Sequence, residues 1–100
     1  MEVIITRSAK ADLKSRFGFY ERQSEGQGHY FLDCIIPDIA ELSSTAGLHR
    51  QRYGLYCALA SKHPYQLFYS LESGSVFVWR IIDCRRSPQW ISQAVKKRSL

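Results

Sequence analysis

The chain is poor in the residues that staple or punctuate a fold. Among its 100 residues there are only three cysteines, three prolines and six glycines. Cys34, Cys57 and Cys84 are far apart, odd in number and set in apolar runs, so they are expected to be buried reduced thiols rather than a disulfide framework. His29, His49 and His63 form no pair at metal-ligand spacing, and no metal or other cofactor is expected. No apolar run reaches the length of a membrane span, and no basic stretch leads into a long apolar one. A protein without membrane contact, working in the cytoplasm, is the expectation. Repeats, low-complexity tracts and linkers are missing too, so residues 1–100 read as a single domain.

What is present is ordinary globular material with a basic bias. Hydrophobic residues make up 45% and charged residues 23%. A chain of this size buries roughly two-thirds of its unfolded surface, enough for one core. The net charge of +5 favours an acidic partner, either nucleic acid or an acidic protein segment.

Periodicity divides the chain into elements. Glu2 to Thr6 is a short β-rich run. Ser8 is the expected N-cap of a helix from Ala9 to about Gln23, with Leu13, Phe17 and Tyr20 at helical spacing. Ser24 to Gly28 forms a glycine-bearing turn. Phe31, Ile35, Ile39 and Leu42 then mark a second helix, from about Gly28 to Ser43, which Pro37 is expected to kink. Phe17, Tyr20, Phe31, Ile35 and Leu42 are its expected buried contacts with the first helix and the sheet.

After a loop from Ser44 to Gln51 the period changes to two. Tyr53, Leu55, Cys57 and Leu59 share one face of a strand that begins at Arg52. Tyr65, Leu67, Tyr69 and Leu71 share a face of the next. Glu72 to Ser75 turns the chain. Val76 to Asp83 reads as a central strand covered on both sides. Ser87 followed by Pro88 opens a last helix that ends near Lys97. The order β-α-α-β-β-β-α predicts an α+β fold: a helical hairpin on one face of a small, largely antiparallel sheet, plus a C-terminal helix. The other face is left partly open for a ligand or partner.

Three stretches carry a family resemblance. Phe19-Tyr20-Glu21-Arg22-Gln23-Ser24-Glu25-Gly26-Gln27-Gly28, leading into Tyr30-Phe31-Leu32-Asp33, is similar to the first helix, turn and second helix of ParE-like toxins. His63-Pro64-Tyr65-Gln66-Leu67-Phe68-Tyr69 resembles the family's Phe-Pro-Tyr start of a strand. The run from Val78 to Trp90, with Arg85-Arg86-Ser87-Pro88, resembles its last strand and the Arg-Arg-x-Pro turn. The resemblance, spanning nearly the whole chain, is to the RelE/ParE superfamily, the toxic halves of type II toxin–antitoxin pairs. It implies a cognate antitoxin whose flexible, acidic segment wraps the toxin. Two actions occur in the superfamily: RelE-like members cleave mRNA in the ribosome, and ParE-like members poison DNA gyrase without an active site of their own.

Candidate site residues follow from that resemblance. Arg85 and Arg86 match the family's arginine pair, and either guanidinium can fork onto a phosphate or carboxylate. Arg50 and Arg52 open the second strand, where nucleases of this fold place basic residues, though ordinary strand-edge charge is the plainer reading. Metal-free RNA cleavage also needs a proton acceptor and a donor. Many relatives keep a histidine where this chain has Asp83, and RelE-like nucleases keep a tyrosine or histidine near Trp90 and Ile91. Trp90 can stack on a base but cannot exchange the proton. Tyr65 and Tyr69 alternate with apolar residues and read as core. Arg80 interrupts an apolar strand; it either reaches the partner face or pairs with an acid from a helix. The favoured reading is a toxin that acts by binding, with gyrase implied. The alternatives are a metal-free, ribosome-dependent mRNA endonuclease and a degenerate member that binds only its antitoxin.

Overall fold

A computed structural model describes residues 1–100. Its elements are β1 (Glu2–Ile5), α1 (Arg7–Gln23), α2 (Gln27–Thr45), β2 (Gln51–Arg52), β3 (Leu55–Leu59), β4 (Tyr65–Glu72), β5 (Ser75–Asp83) and α3 (Pro88–Lys96). The strands make one sheet in the order β1-β5-β4-β3-β2. β1 runs parallel to β5, and every other pairing is antiparallel. No helix is long and apolar enough to cross a membrane. The expected α+β architecture is the one observed, with a short additional strand.

That additional strand comes from a turn the alternation concealed. Tyr53 and Gly54 both have positive φ, +55° and +80°, the geometry of a two-residue hairpin turn. They fold Gln51–Arg52 back onto Tyr56 and Leu55. The expected single strand from Arg52 is therefore a hairpin. Leu55 and Cys57 keep their buried face, but Leu59, at the strand's end, is exposed.

The helical hairpin covers one face of the sheet. Phe31, Ile35, Ile39 and Leu42 of α2 meet Ala58, Tyr65, Leu67, Tyr69, Val76, Val78 and Ile81 in the larger core cluster. Phe17 and Tyr20 are only half-buried, short of the full burial expected. The turn between the helices is held by Glu21, whose carboxylate accepts from the backbone N–H groups of Gly26 and Gly28. Those two bonds hold the Glu21 carboxyl below its usual range. At Gly28 a Cβ would lie 2.8 Å from the Phe17 carbonyl oxygen, so only glycine lets the two helices approach this closely.

The cap of α1 is Thr6, not Ser8. Thr6 Oγ1 accepts from the Ala9 N–H and donates to the Val78 carbonyl at 2.7 Å. A residue that ties the helix start to the central strand displaces a cap with only local bonds. Ser8 instead accepts from the Ser99 N–H, which joins the C-terminal tail to α1. Cys34 and Cys57 are buried free thiols as expected; Cys84 is exposed, because β5 has already ended in the turn that leads to α3.

The second face is covered at one end only. Ile91, Ala94 and Val95 of α3 close on Leu55, Cys57, Phe68 and Ile82 in the smaller cluster. A register shift at Phe68/Tyr69 places one extra residue in β5, since Tyr69 pairs with Val78 and Phe68 with Arg80. Such a bulge switches which side chains face each side. Val76 and Val78 before it, and Ile81 after it, therefore all reach the hairpin core.

Candidate functional site

Where β5 leaves the sheet, α1, the β5–α3 turn and α3 surround a cleft of about 220 Å³, lined by Asp12, Ser15, Arg16, Arg80, Ile81, Ile82, Asp83, Arg86 and Trp90. Its walls follow from the topology. β1 pairs with β5 only as far as Val78, so the β5 edge beyond that point has no strand beside it. Asp12 of α1 takes the strand's place and accepts from the Ile81 N–H at 2.9 Å. The same carboxylate receives both arms of Arg80, Nε at 2.8 Å and Nη2 at 3.0 Å. The remaining arm of Arg80 donates to the carbonyls of Ala94 and Lys97, at the C-terminal end of α3. One guanidinium thus joins α1, β5 and α3 and complements the negative end of a helix. With side chains only 15% and 16% exposed, Arg80 and Asp12 form a paired internal bridge. Of the two possibilities for Arg80, pairing with a helix acid is the one found.

Asp83 and Arg85 form the second ion pair. Arg85 donates to both carboxylate oxygens of Asp83, with the shortest contact at 2.7 Å. The Arg85 backbone N–H adds a bond at 2.8 Å. Chiefly through the side-chain bonds from Arg85, the Asp83 carboxyl is held below its usual range. It is an ionised anchor of the turn. Asp83 likewise raises Arg85 above its ordinary range.

These two pairs are the only ion pairs in the structure. They use up both acids that line the cleft and leave Arg16 and Arg86 without a carboxylate. The Arg86 guanidinium lies 4.4 Å above the Trp90 ring, a cation–π contact on an indole 43% exposed. Arg16 sits 4.7 Å over Phe19. Sequence reasoning missed Arg16. Its signal was positional: Asp12, Ser15 and Arg16 lie three and four residues apart, one face of a helix.

The other sequence candidates lie outside the cleft. Arg52 donates to the Gln66 side chain at 2.6 Å and to the Tyr53 hydroxyl at 3.2 Å. Arg50 lies on the exposed lead into β2, and its carbonyl accepts from Cys57. Tyr65 and Tyr69 are buried, as expected. The Tyr65 hydroxyl is 3.2 Å from that of Tyr20. Burial first, and the Tyr20 bond second, push the Tyr65 phenol well above its ordinary range. Tyr69, in the same hairpin-side core, meets His49 and the Gly47 N–H just beyond the end of α2, and burial raises it also.

A second concave surface lies on the outside of the helical hairpin. It encloses about 500 Å³, with Leu13, Phe17, Leu32 and Ile36 as floor and Lys10, Lys14 and His29 at its rim. Ile36 is 44% exposed, an unusual position for an isoleucine in a helix of this core.

With the geometry in place, comparison with known proteins gives a consistent picture. A family model described as "ParE toxin of type II toxin-antitoxin system, parDE" matches residues 3–88. No curated protein matches the chain. Among solved structures, a chain described as "Chromosomal ParDE TA system from P. aeruginosa" superposes with a TM-score of 0.74 at 18% identity, covering 83% of this chain and 95% of that one. At that identity the likeness speaks for the fold.

Proposed function

The chain belongs to the ParE toxin family of type II toxin–antitoxin systems, and on that premise we propose that it stops growth by binding DNA gyrase rather than by cleaving RNA. One observation carries this reading. The cleft offers cations and an aromatic anchor, while its ionisable side chains are poorly suited to proton transfer. Asp83 is held ionised by Arg85. The nearby Tyr65 phenol is buried and raised. Arginine cannot readily give up a proton. General acid and base groups each contribute typically about 10²–10⁴-fold to a rate, and cleavage without them would be slow. A binding toxin needs only a rigid surface, which the Arg80–Asp12 bridge supports by fixing α3 against α1 and β5.

The antitoxin partner is assigned to the outer hairpin groove. Its apolar floor suits one side of an amphipathic segment, and Lys10 and Lys14 suit acidic residues flanking that side. A flexible acidic segment that orders on this groove stabilises the toxin by mass action.

Two assays on purified toxin test the proposal together: supercoiling by gyrase, and ribosome-dependent cleavage of a defined mRNA. The expected result is lost supercoiling with intact mRNA. Codon-specific cleavage with gyrase unaffected overturns it in favour of the nuclease. Silence in both, with antitoxin still bound, assigns the chain to a degenerate class.

A further inference from the structure

The cleft continues along α3. A second cavity of about 220 Å³ shares Arg80 and Trp90 with the first and adds Gln93, Ala94 and Lys97. The two form one groove from Arg16 and Arg86 to Lys97. Between Arg86 and Lys97 lie the nine residues of α3, Pro88–Lys96, which at a rise of 1.5 Å each span about 14 Å. Neither Arg16, Arg86 nor Lys97 has an acidic partner. The acids on the walls, Asp12 and Asp83, are already neutralised by Arg80 and Arg85. The groove is therefore a track of positive charge, with no free carboxylate to repel an anion. Its α3 wall lies beyond residues 3–88, the part matched to the family.

We propose that this groove is a binding site for the phosphodiester backbone of duplex DNA. A single carboxylate would satisfy one end of the track only. A DNA strand presents a charge about every 3.4 Å along the helix axis, so the track faces roughly four of them. The guanidiniums of Arg16 and Arg86 fork onto phosphate oxygens, and Lys97 supplies a point charge farther along. Gln93 lies between them as a neutral hydrogen-bonding group. Base sequence is not read, because the contacts are to the backbone. The assignment rests on the chain's own charges and not on gyrase being the target. Should gyrase be the target, the toxin on its surface would also touch the DNA that gyrase holds.

Fluorescence anisotropy of a labelled duplex with purified full-length toxin, from 50 to 200 mM salt, tests this without gyrase. With three phosphates neutralised, the affinity is expected to fall roughly 40-fold over that range, and only about 3- to 4-fold in the Arg16→Ala/Arg86→Ala variant. Lys14→Ala, on the opposite face of α1, should keep the wild-type slope. A thermal melt of each variant separates lost binding from lost folding. Equal slopes for a folded double variant and the wild type overturn the proposal. So does an absence of binding at 50 mM salt, and so does a poly-glutamate peptide that displaces the duplex at equal charge concentration.

Discussion

The two faces of the sheet are built differently. On the hairpin side, thirteen buried residues form one cluster drawn from α1, α2 and three strands, β3, β4 and β5. On the α3 side the cluster has seven, and α3 contributes three of them from a helix of nine residues. Little apolar area holds α3, so polar bonds make up the difference. Ser87 caps its start by accepting from the Trp90 N–H, and Arg80 holds its end. The difference teaches where this fold keeps its stability and where it keeps surface for a target. The first face is closed by packing; the second is fixed by one guanidinium and leaves Trp90, Arg16 and Arg86 on a groove.

The sharpest way to break that comparison is to mutate both faces in the same units. Phe31, fully buried between α2 and the sheet, should cost about 3–5 kcal/mol on truncation to alanine. Urea unfolding measures this, and an unchanged midpoint would mean the hairpin core is not where stability resides. Asp12→Ala removes the only carboxylate partner of Arg80 and the acceptor of the Ile81 N–H together, leaving Arg80 only its carbonyl contacts on α3. Removing one partner of a buried pair typically costs about 3–5 kcal/mol, and partial exposure puts this pair at about 3. Ile91→Ala, on the thin side, should cost about 2 kcal/mol. Amide exchange in α3 should rise in both variants before it rises in α2.

Asp83 sharpens the comparison through pH. Its carboxyl is held below the ordinary 3.8 by Arg85, so the stabilisation is present above that value and is lost as pH falls through the lower folded-state value. Wild type and Arg85→Ala should therefore differ in melting temperature at pH 7 and converge in strong acid. A gap that does not narrow at all as pH falls into strong acid would contradict the pairing. The smallest effect belongs to Trp90: at 43% exposure, its replacement by alanine should change stability by less than about 0.5 kcal/mol while weakening target binding.

The same asymmetry decides what the sequence discloses. Phe31, Ile35, Ile39 and Leu42 recur on one helical face, and burial follows from period alone. Ser87-Pro88 announces α3 by local chemistry. Arg80, by contrast, reads only as an anomaly, because its partner Asp12 lies 68 residues away. Ser8 and Thr6 are equally good caps locally, and only the bond from Thr6 to the Val78 carbonyl decides between them. Tyr53 fits a strand's alternation as well as it fits a turn, so period alone conceals the β2–β3 hairpin that the positive φ of Tyr53 and Gly54 makes. The arginine cleft was half legible. Arg86 and Trp90 are close in sequence, but Arg16 reaches them only through the packing of α1.

The division of labour between the faces has one direct test. Gyrase supercoiling is titrated with wild-type toxin, Arg86→Glu and Lys14→Glu, and antitoxin affinity is measured on the same preparations. Arg86→Glu should need at least roughly tenfold more toxin for the same inhibition, about 1.4 kcal/mol of lost binding, with antitoxin affinity intact. Lys14→Glu should show the reverse, weaker antitoxin binding with gyrase inhibition unchanged. Inhibition by a folded Arg86→Glu toxin equal to wild type would contradict the account, because the target would then be held somewhere other than the arginine cleft.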